Sequence, residues 1–428
     1  MNHHTSNAWR WWVCGAMMFA TLLNYMDRQV LPQIGTELKD AWGIDDARYG
    51  QVAGNFARAF ALGSIFFGLI ADRIGPRLLY PFVLIGWSAA GLATPLMTDP
   101  GWTSKLSNDP ADGPFEWLLL CRTVLGFFEA GHWPCALLTA RQILTAKDRP
   151  LGNGLLQSGA SLGAICVPLY VMAVRNLGGG WEVAFWTIGG IGLLWVPAWL
   201  LLVRRGSLDR PLEAPAATTT ASGAFDVGRF LRIYASLFAI ILGISVSWQF
   251  IREWLPKYLK ESQGYSKDVA DLIVPVYYIS AEIGCLLAGL FVRWLVARGL
   301  TVHGARIAGY AAFAIVTAAA AAAPFAPRDV GTGLLILAGA GILALHPYYY
   351  SFVQELPAKH MAMLSGALAA VSWFVVGAVQ EAMGNHIKAT GQYDVGFVLA
   401  GLAPLAGLVV LMVLWRKDGT ARELTSAH

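Results

Sequence analysis

The stretch Leu118–Pro134, LLLCRTVLGFFEAGHWP, decides the fold. It is apolar enough to sit in lipid, yet it carries Arg122 and Glu129 seven positions apart. On a helix, that spacing puts Arg122, Gly126, Glu129 and Trp133 on one face, with the two charges roughly 10 Å apart along the axis. A charge at the middle of a bilayer costs about 2.5–3.5 kcal/mol on the insertion scale. Two charges on one face therefore point to a polar cavity, and the helix reads as the floor of a transport pathway for an anion.

The rest of the chain fits a membrane setting. Only 14% of its 428 residues are charged, and 56% are hydrophobic. Soluble domains carry about 25% charged residues. Apolar runs of about 20 residues recur along the chain, so a polytopic helical membrane protein is expected. Twelve spans are predicted, at 11–34, 47–70, 78–97, 117–143, 152–175, 183–203, 231–256, 269–296, 306–325, 331–353, 362–385 and 395–415. The start, MNHHTSNAWRWW, shows no cleavable leader pattern, so the first span is expected to be retained. The net charge of +4 resides in loops between apolar segments and implies no nucleic-acid partner. The five cysteines form no CxxC or Cys/His cluster, so neither a disulfide framework nor a metal site is expected. No GxxxxGK[ST] is present to cradle a nucleotide, and no HExxH or catalytic triad suggests an enzyme.

Loop charge alternates. Arg73 and Arg77, then Arg141, Lys147 and Arg149, then the arginines from Arg204 to Arg232, then Arg293, Arg298 and Arg306, and finally Arg416, Lys417 and Arg422 mark one side. Asp40, Asp45 and Asp46, then Asp99, Asp109, Asp112 and Glu116, mark the other. The positive-inside rule makes the first side cytoplasmic, with both termini inside. The longest break, 204–230, centres on PLEAPAATTTASGAF and reads as a flexible linker. It divides the chain into six-helix bundles at 1–203 and 231–428, the plan of a carrier with its site between two halves.

Two further motifs carry charge. GLIADRIGPR, Gly68–Arg77, closes span 2 and places Asp72, Arg73 and Arg77 at the cytoplasmic face. It closely resembles the loop signature of the major facilitator superfamily, GxxxDRxGxR, which implies a gating role for these three residues. In the second half, Arg293 stands where an aspartate is usual. NYMDRQVL, Asn24–Leu31, puts Asn24, Asp27 and Arg28 on one helix face. A local ion pair is the simple account of it. Alongside Arg122 and Glu129, a pathway is favoured, because ionisable groups within a membrane usually mark one.

NYMDR, RTVLGFFEAGHWP, RPLGNGLLQSGASLGA and GQYDVGFVLAG together resemble the anion:cation symporter family of that superfamily, nearly end to end. That family includes hexuronate and aldonate transporters. The resemblance implies that Asp27 and Glu129 couple protons, that Arg28 and Arg122 hold the substrate carboxylate, and that Tyr25 and Gln157 line the same site. The chemistry agrees. Arginine offers a planar fork for a carboxylate and stays charged, whereas a carboxyl in a low-dielectric cavity takes up a proton near neutral pH.

There are departures from the family. Phe60 replaces a tyrosine common in span 2, and Arg58 precedes it by two residues. Span 7 carries WQFIREWLPKYL, and span 11 has Gln380 and Glu381. Either Arg58, Arg252, Glu253 and Glu381 neutralise one another between helices, or Arg58 and Arg252 face the cavity and bind a second polar part of the substrate. Glu282, one turn from Tyr278, is a candidate partner for Arg252. Trp248 and Trp373 offer faces for sugar stacking, Ser372 a hydroxyl, and Tyr278 a polar contact. His346 reads as a hydrogen-bonded packing group.

The expected protein is thus an all-α carrier that imports an organic anion, a sugar acid such as a hexuronate or aldonate, by proton symport. Protons are the only coupling species expected, and no other cofactor is called for. A monomer in a bacterial inner membrane is the expected state. Two competing readings are a uniporter or exchanger for a neutral sugar or another carboxylate, and a transporter-like ligand receptor.

Overall fold

The computed structural model describes residues 7–107, 109, 111–145, 148–208, 227–353 and 358–414. Most of the predicted linker, the side chain of Asp72, and Lys147, Arg210, Arg416, Lys417 and Arg422 lie outside the described residues.

The first half runs α1 (Asn7–Gln33), α2 (Gly35–Trp42), α3 (Asp46–Ile74), α4 (Pro76–Ala93), α5 (Pro100–Thr103), α6 (Gly113–Glu129), α7 (His132–Ile143), α8 (Arg149–Asn176) and α9 (Glu182–Leu202). The second runs α10 (Val227–Lys257), α11 (Lys267–Ala297), α12 (Val302–Thr317), α13 (Ala319–Ala322), α14 (Arg328–Val353), α15 (Ala358–Thr390) and α16 (Asp394–Leu414). Helix is the form that satisfies every backbone polar group within a segment surrounded by lipid. Among the described residues, ten helices are long and apolar enough to cross a membrane. The two remaining crossings of the twelve-helix plan are α1, which carries Asn24, Asp27 and Arg28, and the pair α6 and α7. Neither α6, with 17 residues, nor α7, with 12, is long enough to cross alone, and together with α1 they contain the candidate site.

The predicted single span 117–143 is interrupted at Ala130 and Gly131. A methyl group on Gly131 would lie 2.5 Å from a Val83 methyl, so glycine lets the chain pass close to α4 there. Trp133 consequently does not continue the face that holds Arg122, Gly126 and Glu129. It lies beyond the break, half-buried, at the start of α7.

The turn between α3 and α4 explains part of the GLIADRIGPR motif. Gly75 has φ +76, a conformation that L side chains rarely adopt, and Pro76 opens α4. Arg77 Nε donates to the carbonyl of Val203 at 2.9 Å, tying this turn to the end of α9. Arg73 is exposed.

The halves meet along α3 against α15, α8 against α11, and α1 against α10. The α3–α15 crossing is backbone to backbone. A Cβ on Gly50 would sit 2.8 Å from Gly384 Cα, and one on Gly54 would sit 2.7 Å from the Gly377 carbonyl oxygen.

Candidate substrate site and outer latch

Arg28 is the centre of the site. Its Nε and Nη2 donate to Glu129 Oε2 at 2.8 and 2.6 Å, and Nη2 also reaches Asn24 Oδ1 at 3.3 Å. Aromatic rings enclose the guanidinium. Tyr25, Phe56, Phe60 and Trp373 have centroids 5.0–5.9 Å from it, a cation–π distance for each. Trp373 comes from the opposite half and packs on Phe60 at 4.4 Å. With no hydroxyl at position 60, that ring serves as an apolar wall.

Arg122 lies across Phe56 from Arg28, 5.0 Å from the ring. Its Nη1 and Nη2 reach only the carbonyls of Asp27 and Arg28, at 3.4 and 3.3 Å, and its Nε has no partner. Gly126, one turn on, lets α6 approach the backbone of Phe56: a Cβ there would be 2.5 Å from the Phe56 carbonyl oxygen. Asp27 turns toward α4, where a methyl on Gly91 would lie 2.9 Å from its Oδ1. Neither Asp27 oxygen has a hydrogen-bond partner, nor does Glu129 Oε1. Asp27, Arg28, Arg122 and Glu129 are all at most 3% exposed, so these charges are sealed from bulk water.

The second half contributes a different set. Arg252 is 4% exposed, and its Nε and Nη1 have no partner. Its neighbour Glu253 accepts from Tyr49 Oη at 2.7 Å. Trp248 packs against Tyr277, Tyr278 and His346. Gln380 accepts from Trp254 Nε1 at 2.7 Å and donates to the Gln249 carbonyl at 3.0 Å, which fastens α15 to α10.

Three expectations from sequence are revised. Arg58 is ion-paired with Glu381 across the α3–α15 seam, so for this arginine the neutralising account holds. Ser372 is fully buried and returns its hydroxyl to the Leu368 carbonyl at 2.7 Å, the usual back-bond of a serine within a helix, so it offers a sugar no donor. Glu282 takes the Ser161 hydroxyl and not Arg252. Gln157, one turn before Ser161 on α8, is exposed.

His132 went unnoticed in the sequence. It follows the α6–α7 break directly, and its two ring nitrogens lie 3.0 Å from Thr21 Oγ1 and 2.9 Å from Tyr80 Oη. With both nitrogens engaged, it ties the break to α1 and α4 as a packing group. Its place three residues after Glu129 was the available signal.

A dense set of ion pairs joins the halves at the end opposite the basic loops, the outer end by the positive-inside expectation. Lys257 is fully buried against Asp46 at 2.9 Å and Glu261 at 3.2 Å. Lys39 bridges the same two carboxylates, at 2.8 and 3.3 Å. Lys260 reaches Asp271 at 3.3 Å and the Gln33 carbonyl at 2.7 Å, and Arg175 holds Asp271 and Asp268 at 2.8 and 2.6 Å. Lys267 pairs with Glu37 and Lys388 with Asp45, at 2.7 and 2.8 Å. Burial alone would raise the Glu37 carboxyl, but Lys260 and Lys267 outweigh it and hold it below its ordinary range. Asp45 is likewise held low, with Lys388 and the Arg48 amide outweighing burial. One π-helical turn, Tyr258–Ser262, carries Lys260 and Glu261 into this group. These pairs latch the two halves together at this end.

A multi-pass helical membrane protein with charges sealed between its halves is by class a transporter, not an enzyme. A family model described as Major Facilitator Superfamily matches residues 17–380, and the chain belongs to that superfamily. Among curated relatives, it is 22% identical to a probable L-galactonate transporter of Escherichia coli K12, over 94% of this chain and 88% of that one. It is 23% identical to the hexuronate transporter of the same strain, covering 88% and 83%. It is also 23% identical to a probable galactarate/D-glucarate transporter, covering 95% and 93%. In fold it is similar to a crystal structure of a D-xylose-proton symporter, with TM-score 0.70, 14% identity and coverage of 94% and 97%.

Proposed function

We propose that this protein imports a sugar acid by proton symport, moving it across a bacterial inner membrane through alternating access between residues 1–203 and 231–428, joined by the linker at 204–230. The observation that carries this reading is the Arg28–Glu129 pair beside the under-engaged Arg122. While Glu129 is ionised, it occupies the fork of Arg28. A proton on Glu129 weakens that hold and frees Arg28 for a substrate carboxylate, with Arg122 as the second donor group. Asp27, close to Arg122 and without a partner, is the second proton carrier. Proton and anion therefore enter together, which limits the charge carried through a low-dielectric site. Curated relatives that transport galactonate and hexuronate support the substrate class. The carrier works as a monomer with both termini cytoplasmic, and the proton is its only coupling ion.

Uptake into proteoliposomes tests the reading, using labelled glucuronate, galacturonate, galactonate and neutral hexoses with and without an inward proton gradient. Gradient-stimulated uptake of an acid, competed by related acids, is expected. Gradient-indifferent uptake of a neutral sugar would reject the proposal in favour of a sugar uniporter.

A further inference from the structure

Among the described residues, no acidic side chain pairs with Arg252 by contact. This arginine sits on α10 at the meeting of the halves, 4% exposed, with Nε and Nη1 unpartnered. A buried guanidinium lacking hydrogen bonds is costly, so a group that supplies acceptors is to be sought. Four candidate carboxylates make their hydrogen bonds elsewhere. Glu253 accepts from Tyr49, Glu282 from Ser161 and Glu381 from Arg58, while Glu129 gives Oε2 to Arg28. Arg252 lies on α10, which packs against α1, the helix of Tyr25 and Arg28, and it interacts electrostatically with Arg28, Glu253, Tyr278 and Tyr25.

The charges set the ligand. The buried central groups are the cations Arg28, Arg122 and Arg252 and the carboxylates Asp27, Glu129 and Glu253, which balance when all are ionised. Arg58 and Glu381 cancel as a pair. On the proton-coupled reading above, on which this inference rests, Asp27 and Glu129 carry protons when the carrier is loaded. Three cations then face one carboxylate, leaving a surplus of two positive charges. A monocarboxylate would leave one of them uncompensated in a low-dielectric site, whereas a dianion would cancel both.

We infer that the substrate is a sugar dicarboxylate, an acid oxidised at both ends of its chain, with one carboxylate held by Arg28 and Arg122 and the other by Arg252. Arg252 then determines specificity, because a ligand with a hydroxyl or aldehyde at its far end leaves the guanidinium unanswered.

The test compares, in proteoliposomes under an inward proton gradient, uptake of labelled galactarate or glucarate with uptake of galactonate and glucuronate. The wild-type carrier is expected to favour the dicarboxylates by at least ~10-fold, about 1.4 kcal/mol. Arg252→Gln is expected to lower the ratio of dicarboxylate to monocarboxylate uptake by a similar factor, and Arg252→Lys, which keeps the charge without the fork, to restore part of it. Wild-type preference for monocarboxylates, or loss of both classes in equal proportion in Arg252→Gln, would overturn the inference while leaving the sugar-acid reading standing. The wild-type panel alone decides the substrate class if the variant does not fold. Wild-type uptake of neither class would instead sink the proposed function.

Discussion

Two nitrogens of Arg28, Nε and Nη2, converge on the same oxygen of Glu129, Oε2, while Oε1 has no partner. A two-oxygen fork-to-fork pairing would be the stronger arrangement. The observed one leaves half of the carboxyl able to accept a proton without first breaking the pair.

Glu129→Gln keeps an oxygen for Arg28 but cannot ionise. It is expected to cut gradient-driven accumulation by at least ~10-fold, while exchange of labelled for unlabelled substrate persists. Full concentrative uptake by this variant would remove Glu129 from the coupling role.

Arg122 has long contacts to two carbonyls and an unpartnered Nε, so its hydrogen-bonding capacity is largely unspent. Truncating one partner of a buried charge pair costs about 2–5 kcal/mol. Arg122→Ala is therefore expected to weaken carboxylate binding by ~30-fold or more, measured as the substrate-induced rise in melting temperature. Arg122→Lys should recover little of this, since lysine lacks the planar fork.

Lys257 is the buried bolt of the outer latch, held by Asp46 and Glu261. Removing one partner of such a pair costs about 3–5 kcal/mol. Asp46→Asn should loosen the outer end, seen as faster amide hydrogen exchange over 34–38 and 257–263 than in the wild type. Unchanged exchange in both segments would show that these pairs do not hold the end closed.

The latch also has a predictable acid response. Glu37 and Asp45 are held below their ordinary values of 4.5 and 3.8. A carboxyl with a depressed pKa stabilises the closed form above its ordinary value, and that contribution is lost as pH falls through the depressed one. The protection factors of amides at this end, that is, exchange corrected for its intrinsic pH dependence, are thus expected to be flat between pH 7 and about pH 5 and to fall only in stronger acid. On the proposed proton-symport reading, a pH dependence of transport nearer neutrality would come from Asp27 and Glu129. A Glu37→Gln, Asp45→Asn double variant that abolished the near-neutral dependence would contradict this division.

Much of the architecture was legible because lipid imposes a coarse code. Long apolar runs report crossings. That Asp27, Arg28, Arg122 and Glu129 would avoid lipid could also be anticipated, since such charges have no inexpensive place facing it; that Arg28 alone takes Glu129, leaving Asp27 without a partner, could not. Pairings between distant segments were less accessible. Nothing local in WQFIREWLPKYL says that Glu253 goes to Tyr49, that Lys257 goes to Asp46, or that Arg252 is left over. Those outcomes depend on how α10 meets α1 and α3, which the glycine contacts of α3 and α15 help to set. Ser372 was misread for a related reason: a helical serine has its own backbone as an alternative partner, and periodicity does not reveal which it takes.

The geometry of α10 has a mechanical corollary. Arg252 and Lys257 stand five residues apart on one continuous helix, about 7.5 Å along its axis. The two positions are linked through Pro256, which withholds a donor from the Arg252 carbonyl, so the coupling passes through a single turn that can bend. A ligand that draws Arg252 toward the first half pulls on the Lys257 anchorage through that turn, and a shift of Lys257 away from Asp46 displaces Arg252 through it. In the proposed transport cycle, grip on the cargo and closure of this end would then be coupled through α10.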